Sequence, residues 1–433
     1  MTEIAIAIAG LVLLLLLLVA SMPVGFAMTL VGALGFALVV NPHAALAVLA
    51  ADYYDCFSNY GLTVIPLFVL MGQIAFHAGL SARLFDAAHA WFGRLRGGLA
   101  VATIGASSAF GAICGSGPAT AATMAAVALP EMKRHRYAAP FAAGTIAAAG
   151  SIGMLIPPSV VFIVYGIMTE QSIGKVFLAG IVPGILVTLL FALTAHLLCR
   201  RHPGWGPAAP VVPWSQRLRA LLGVEQILLL FLLVMGGMFA GWFTPTEAAA
   251  VGAAGSLLLA AIARKLTFRM LLTALMETLR TSCMVMVIVA GATVFGHFLQ
   301  ITNLPTSMAA GLAALPLPPV AIMLLILAFY VVAGAFLDAL ALVLLTIPIF
   351  YPVVLRLGYD PIWFGVMIVL VTQIGVITPP VGVNVYVVSG MDRSIPLQSV
   401  FRGAMPYLLA LFAAIVLLLL FPSIALCLPH AIP

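Results

Sequence analysis

Of the chain's 433 residues, 64% are hydrophobic and only 7% charged, and the mean hydropathy is +1.24. A soluble domain carries about 25% charged residues, so a water-borne fold is excluded and lipid must be the solvent for much of this surface. The net charge of +6 does not point to nucleic acid, because the basic residues sit in short loops between apolar runs.

A span needs about 20 apolar residues. Stretches at 4–21, 23–40 and 61–78 open the chain. The first follows Thr2-Glu3 with no basic segment and reads as a span rather than a cleaved leader. An acidic 41–60 loop with Asp52 and Asp55 lies between the second and third. Residues 80–92 form an amphipathic piece suited to the interface. The apolar stretch 97–132 carries Cys114-Gly115-Ser116-Gly117-Pro118 in its middle and reads as a re-entrant hairpin. Spans at 138–168 and 175–199 follow, then the polar linker 201–222. The second half gives spans at 223–242 and 246–263, an interfacial piece at 266–279 and a span at 281–301. A second hairpin at 317–355, interrupted at Gly334-Ala335-Phe336-Leu337-Asp338, precedes spans at 361–391 and 397–428.

Charge supports the two hairpins. If each enters and leaves on one side, 16 of the 18 Lys and Arg fall on a single face, leaving only Lys175 and Arg356 opposite. That is the cytoplasmic excess expected of a membrane protein, and it puts the N-terminus and the 41–60 loop outside.

An offset of 222 aligns the halves. It brings Pro130 to Pro352, Tyr137 to Tyr359, Gly153 to Gly375, Pro157-Pro158 to Pro379-Pro380, and Ser116 to Asp338. Five crossings separate the two copies, so the second is inverted, the recurrent plan of secondary transporters. The expected organisation is 1–60 N-terminal scaffold, 61–200 first repeat, 201–222 linker, 223–280 scaffold helices and 281–433 second repeat.

Proline within a span removes a donor and frees a carbonyl, tolerated at membrane depth only where a cavity or protein satisfies the backbone. Gly153 to Ser159 and Gly375 to Gly382 should therefore unwind two helices. The upstream half-helices offer carbonyls to a hard cation such as Na⁺, and the downstream N-termini offer N–H groups to an anion. The hydroxyls of Ser116, Thr120 and Thr123 add ligands at the first tip. Asp338, costly in an apolar hairpin, fits three roles: cation ligand, proton carrier, or cap of the tip. Glu247, after Phe243-Thr244-Pro245-Thr246, reads as a helix start. Every Lys and Arg lies in or near a loop, so an anionic substrate would be met by dipoles, hydroxyls and a co-bound cation.

Other chemistries lack their motifs. There is no GxxxxGK[ST], HExxH or GxSxG sequence and no pair of intramembrane aspartates, so neither an enzyme nor a cofactor is expected. The five cysteines are scattered, against a disulfide framework or zinc site. The eight histidines, His77 and His297 among them, are isolated and read as satisfied or interfacial groups.

Gly115-Ser116-Gly117-Pro118-Ala119-Thr120-Ala121, Pro130-Glu131-Met132, Ile156-Pro157-Pro158-Ser159 and Tyr165-Gly166 resemble the large membrane subunit (DctM-like) of TRAP, tripartite ATP-independent periplasmic, transporters. So do Phe243-Thr244-Pro245-Thr246-Glu247-Ala248-Ala249, Phe336-Leu337-Asp338 with Pro348, and Thr378-Pro379-Pro380-Val381-Gly382-Val383-Asn384. The matches run in order from about 60 to 420. The resemblance implies an all-α, polytopic, inverted-repeat elevator-type transporter of the bacterial inner membrane, with two hairpins and two broken helices. It implies Na⁺-driven import of an organic acid such as sialic acid or a C4-dicarboxylate. Its partners would be a small four-helix membrane subunit and a periplasmic substrate-binding protein.

With the motifs, it gives substrate contacts at Ser116, Thr120, Pro158, Ser159, Asp338, Pro380 and Asn384. Na⁺ contacts are expected at Ser116, Gly117, Gly153, Pro157, Asp338, Gly375, Thr378 and Pro379. Gly117-Pro118 stands where the family usually has a second serine, which removes one hydroxyl ligand. A stand-alone ion or anion transporter of related fold and a non-transporting scaffold are the alternative readings.

Overall fold

The computed structural model describes residues 3–208, 212–313 and 316–431; Thr2 and linker residues 209–211 thus lie outside them. The described residues are helical, without strands. Helices α1 (Glu3–Val19) and α2 (Val24–Val39) are separated by Ser21 at φ 64° and Pro23. Next comes α3 (Pro42–Ser58), where the sequence suggests a loop. The Asn41 side chain accepts from Ala44 N at 2.8 Å and Pro42 occupies the first turn, a start signal that outweighs the two aspartates. Asp52 is buried and meets His297 Nδ1 at 2.9 Å.

The first repeat comprises α4 (Val64–His77), the interfacial α5 (Leu80–Phe92), the hairpin α6 (Gly98–Cys114) and α7 (Gly117–Arg134), the broken helix α8 (Ala139–Ser151) and α9 (Val160–Met168), and α10 (Ile173–Arg201). Helix α11 (Trp214–Leu222) occupies the end of the linker; then come α12 (Glu225–Phe231), a π turn at Leu232–Gly236, α13 (Gly237–Phe239) and α14 (Pro245–Ile262). Helix α15 (Phe268–Ile301) is one rod of 34 residues. The expected interfacial piece at 266–279 and the span at 281–301 are therefore a single helix, because no Gly or Pro occurs from 268 to 290. The second repeat continues with α16 (Leu304–Ala313), the hairpin α17 (Pro319–Gly334) and α18 (Ala339–Arg356), the broken helix α19 (Pro361–Gly375) and α20 (Val383–Met391), and α21 (Leu397–Leu420), followed by α22 (Ser423–Ala431).

The copies agree closely. α7 and α18 are each 18 residues long and occupy equivalent positions in the two halves. The interfacial α5 has its counterpart in α16, not in the residues before 280. Both Pro157–Pro158 and Pro379–Pro380 bonds are cis.

Among the described residues, six helices are long and apolar enough to cross a membrane alone: Tyr60–His77, Ile173–Arg201, Pro245–Ile262, Phe268–Ile301, Ala339–Arg356 and Leu397–Leu420. The hairpin and broken-helix pieces are mostly shorter, so most of their backbone ends must be satisfied inside the protein. Two layers do this. In the outer one, α15 packs on α2 and α4; a Cβ at Gly25 or Gly32 would stand 2.9 or 2.8 Å from the α15 backbone. Small residues thus let these helices touch, the device that replaces hydrophobic drive in lipid. In the inner layer, α8 is enclosed by α6, α7, α20 and α21.

Helix α14 starts as its sequence indicates. The Thr244 hydroxyl accepts from Glu247 N at 3.3 Å, and the Glu247 carboxylate accepts from Thr244 N at 2.8 Å. This capping box satisfies a backbone donor at each end of the first turn.

Candidate functional site

The hairpin turns come from local chemistry. α6 stops at Gly115, whose φ of +65° lets the chain reverse, and Pro118 starts α7. In the other copy Asp338 is the N-cap of α18, its carboxylate accepting from Leu340 N at 3.1 Å.

Each broken helix rests on the hairpin of its own repeat. Gly153 lies against Gly111 so closely that a Cβ on either would meet the other's Cα at 3.2 Å or less; a Cβ on Gly153 would also meet Thr120 Oγ1 at 2.6 Å. Gly375 approaches Gly334 in the same way, with a Cβ 2.2 Å from its carbonyl oxygen. Beyond each break a backbone N–H reaches back to the hairpin: Val160 N donates to Gly115 O at 3.4 Å, and Val381 N to Ala335 O at 3.1 Å. The hydroxyls of Ser159 and Thr378 donate within the breaks, to Met154 O and Ile374 O, each at 2.6 Å.

The two tips then meet. Ser116, Gly117 and Asp338 line one cavity of about 130 Å³, closed by Val69 and Gln73 of α4 and by Thr281, Met284 and Val285 of α15. Of the residues named from sequence, these three form its wall. Thr120 is buried behind the tip, donating to Ser116 O at 2.8 Å. Gly153, Pro157 and Ser159 are buried at the first break, and Pro158 faces a narrow gap beside Ala112, Leu230 and Val234. Gly375 is buried at the second break, Thr378 is half-buried, and Pro379 and Pro380 are exposed; none of these four lines the cavity.

Asn384 is fully buried, its Nδ2 donating to Ala147 O at 3.0 Å. Its Oδ1 would lie 3.6 Å from a Cβ on Gly117, so it backs the first tip from within.

Sequence reasoning misses the scaffold side of this cavity. Gln73 and Thr281 are polar residues in apolar helices, a signal that marks them as functional candidates; only the fold brings them to the tips. The lining is largely apolar; its polar side chains are the hydroxyls of Ser116 and Thr281, the amide of Gln73 and the carboxylate of Asp338, with no Lys or Arg. Such a donor set suits a hard cation. No group of three or more His, Cys, Asp and Glu side chains placed to hold a metal ion occurs among the described residues. His77 pairs with Glu277 across α4 and α15 at 2.9 Å, as His297 does with Asp52; both histidines are satisfied by carboxylates.

Comparison with known proteins agrees with this architecture. A family model described as "Tripartite ATP-independent periplasmic transporter, DctM component" matches residues 11–424. The chain is 37% identical over 383 residues to the C4-dicarboxylate TRAP transporter large permease protein DctM of Pseudomonas aeruginosa, covering 88% of this chain and 89% of that one. It is 35% identical to the sialic acid TRAP transporter large permease protein SiaM of Vibrio cholerae, covering 96% of each. Among solved structures, the YdaH transporter of Alcanivorax borkumensis superposes with a TM-score of 0.62 at 17% identity over 87% of each chain, a likeness of fold alone.

Proposed function

This chain belongs to the DctM family of tripartite ATP-independent periplasmic transporters, and from that premise we propose that it is the permease of a Na⁺-coupled organic-acid importer in the bacterial inner membrane. One observation carries the reading: the tips of two hairpins, with Ser116 on one and Asp338 on the other, share a cavity bounded by the scaffold helices α4 and α15. The relatives named above are called C4-dicarboxylate and sialic acid permeases, which supports a carboxylate substrate.

A carboxylate has no fixed Lys or Arg to meet it in this lining. A cation held by the tip oxygens supplies the missing charge, and the N-terminal N–H groups of α7 and α18 add their positive dipole ends toward the acid. Binding the acid then requires the ion, which is what symport demands. The partners in this reading are a small four-helix membrane subunit and a soluble periplasmic protein that delivers the acid. The hairpins and broken helices slide as one body against α4 and α15.

The test is uptake into proteoliposomes carrying this chain and its small subunit, with the binding protein and radiolabelled C4-dicarboxylate or sialic acid outside. Accumulation should follow an inward Na⁺ gradient. Accumulation that ignores the gradient removes the coupling, and uptake of free acid without the binding protein removes the partner.

A further inference from the structure

We propose that Ser151 and Gln373 form a coupling contact that ties the occupancy of the first break to that of the second. The inference rests on the proposed Na⁺ coupling and extends it to one cation at the freed carbonyls of each break; it concerns how two such sites communicate.

These residues are symmetry mates: they stand 222 apart, and Ser151 Oγ lies 3.3 Å from Gln373 Oε1. The two copies therefore touch each other at their own equivalent position, the end of α8 against α19. Ser151 is the last residue of α8, two before Gly153, and Gln373 lies two before Gly375. Each is thus two residues upstream of the glycine that seats its break on its hairpin.

The contact is buried and unbalanced. Both side chains are fully enclosed. The Ser151 hydroxyl has one proton, and it faces both Ala148 O at 2.7 Å and Gln373 Oε1 at 3.3 Å. Among the described residues Gln373 Nε2 has no partner, nor has Asn384 Oδ1, whose own amide grips Ala147 O one turn before Ser151. Both halves of the second broken helix therefore hold the last turn of the first. Each grip leaves a buried polar atom unmatched.

A fully matched network would rigidify one arrangement. This one has alternatives, because giving the proton to Ala148 leaves the amide of Gln373 free to turn. A shift of one break on filling redirects the bond and is felt at the other, which is coupling between sites in the thermodynamic sense. Ser151 and Gln373 are positioning residues here and do not line the tip cavity.

The experiment needs no organic acid. The purified full-length chain is titrated with NaCl against choline chloride at constant ionic strength, and its melting temperature is followed. The native chain should be stabilised by Na⁺ along a sigmoidal curve with a Hill coefficient of about 2. Ser151→Ala should lower the coefficient to about 1 and raise the midpoint roughly threefold. Ser151→Thr, which keeps the hydroxyl, should restore the sigmoidal curve.

Na⁺ stabilisation of the native chain that is already hyperbolic overturns the coupling and leaves Na⁺ binding intact. So does a Ser151→Ala curve as steep as the native one. A native chain that responds no more to Na⁺ than to choline overturns the ion reading itself, and the coupling with it.

Discussion

Asp338 has two jobs that substitution separates. It lines the tip cavity, and its carboxylate caps α18 through Leu340 N. Asparagine caps about as well as aspartate, whereas alanine costs about 1 kcal/mol at such a position. Asp338→Asn should therefore keep the melting temperature while uptake falls roughly tenfold or more, since the charge beside the ion is gone. Asp338→Ala should lose both. Native uptake in the Asn variant would reduce the residue to a cap.

Asp392, the residue after α20, makes a different prediction. Lys133 and Ser394 hydrogen-bond its carboxylate and hold its pKa down to about 2. A depressed carboxylate stabilises the fold above its unfolded pKa of about 3.9, and that contribution is lost as pH falls through about 2. The pair is exposed, so its worth is at most about 1 kcal/mol. The melting temperatures of native chain and Asp392→Asn should differ slightly at pH 6 and converge between about pH 4 and 2. A gap that persists at the low end would mean the pairing is not what the substitution removes.

Between helices, glycines decide how closely the broken helices seat. Gly→Ala within a helix ordinarily gains up to about 1 kcal/mol. At Gly105 of α6 a Cβ would meet nothing within 4 Å, so Gly105→Ala should match or slightly exceed native stability. At Gly375 the new Cβ would lie 2.2 Å from the Gly334 carbonyl oxygen. Backbone cannot swing aside as a side chain does, and overpacking costs about 1–3 kcal/mol, so the sign reverses: Gly375→Ala should melt lower and transport poorly. Equal behaviour of the two variants would show that the second break is not clamped to its hairpin. This seating explains which elements are legible in sequence. The hairpin turns at Gly115–Ser116 and before Asp338, the two proline breaks and the Thr244–Glu247 start are written in local residue types. Helix α3 is hidden because Asp52 looks like loop polarity until His297, 245 residues away, is seen to meet it. The continuity of α15 is hidden because Arg269, Glu277 and Arg280 mimic an interfacial break. Gln73 and Thr281 become cavity walls only through packing between distant helices, which no local pattern encodes.

At the scale of the whole molecule, two cavities lie along the same scaffold helix. The tip cavity touches α15 at Thr281–Val285, near the basic end of that helix. A second cavity, of about 380 Å³, lies further along at Thr293, His297 and Gln300, walled on its other side by Pro348 and Tyr351 of α18. Twelve residues of helix separate Thr281 from Thr293, a rise of about 18 Å. If the inner layer slides on α15 during transport, the tips leave the first level and approach the second, and the far cavity is the room that makes this possible. The arrangement described here is then the form open toward the cytoplasm, by the distribution of Lys and Arg. Single cysteines at Thr281 and Thr293, in a chain whose five native cysteines are replaced, read the two levels separately. With a membrane-impermeant thiol reagent outside, the cysteine at 293 should react in the resting form and the one at 281 should not. Binding protein loaded with its acid should slow labelling at 293 roughly tenfold while labelling at 281 from the cytoplasmic side rises, because one rigid body leaves one place and fills the other. Rates that change at one position alone would mean a local gate opens instead, and the inner layer would then not move as a unit.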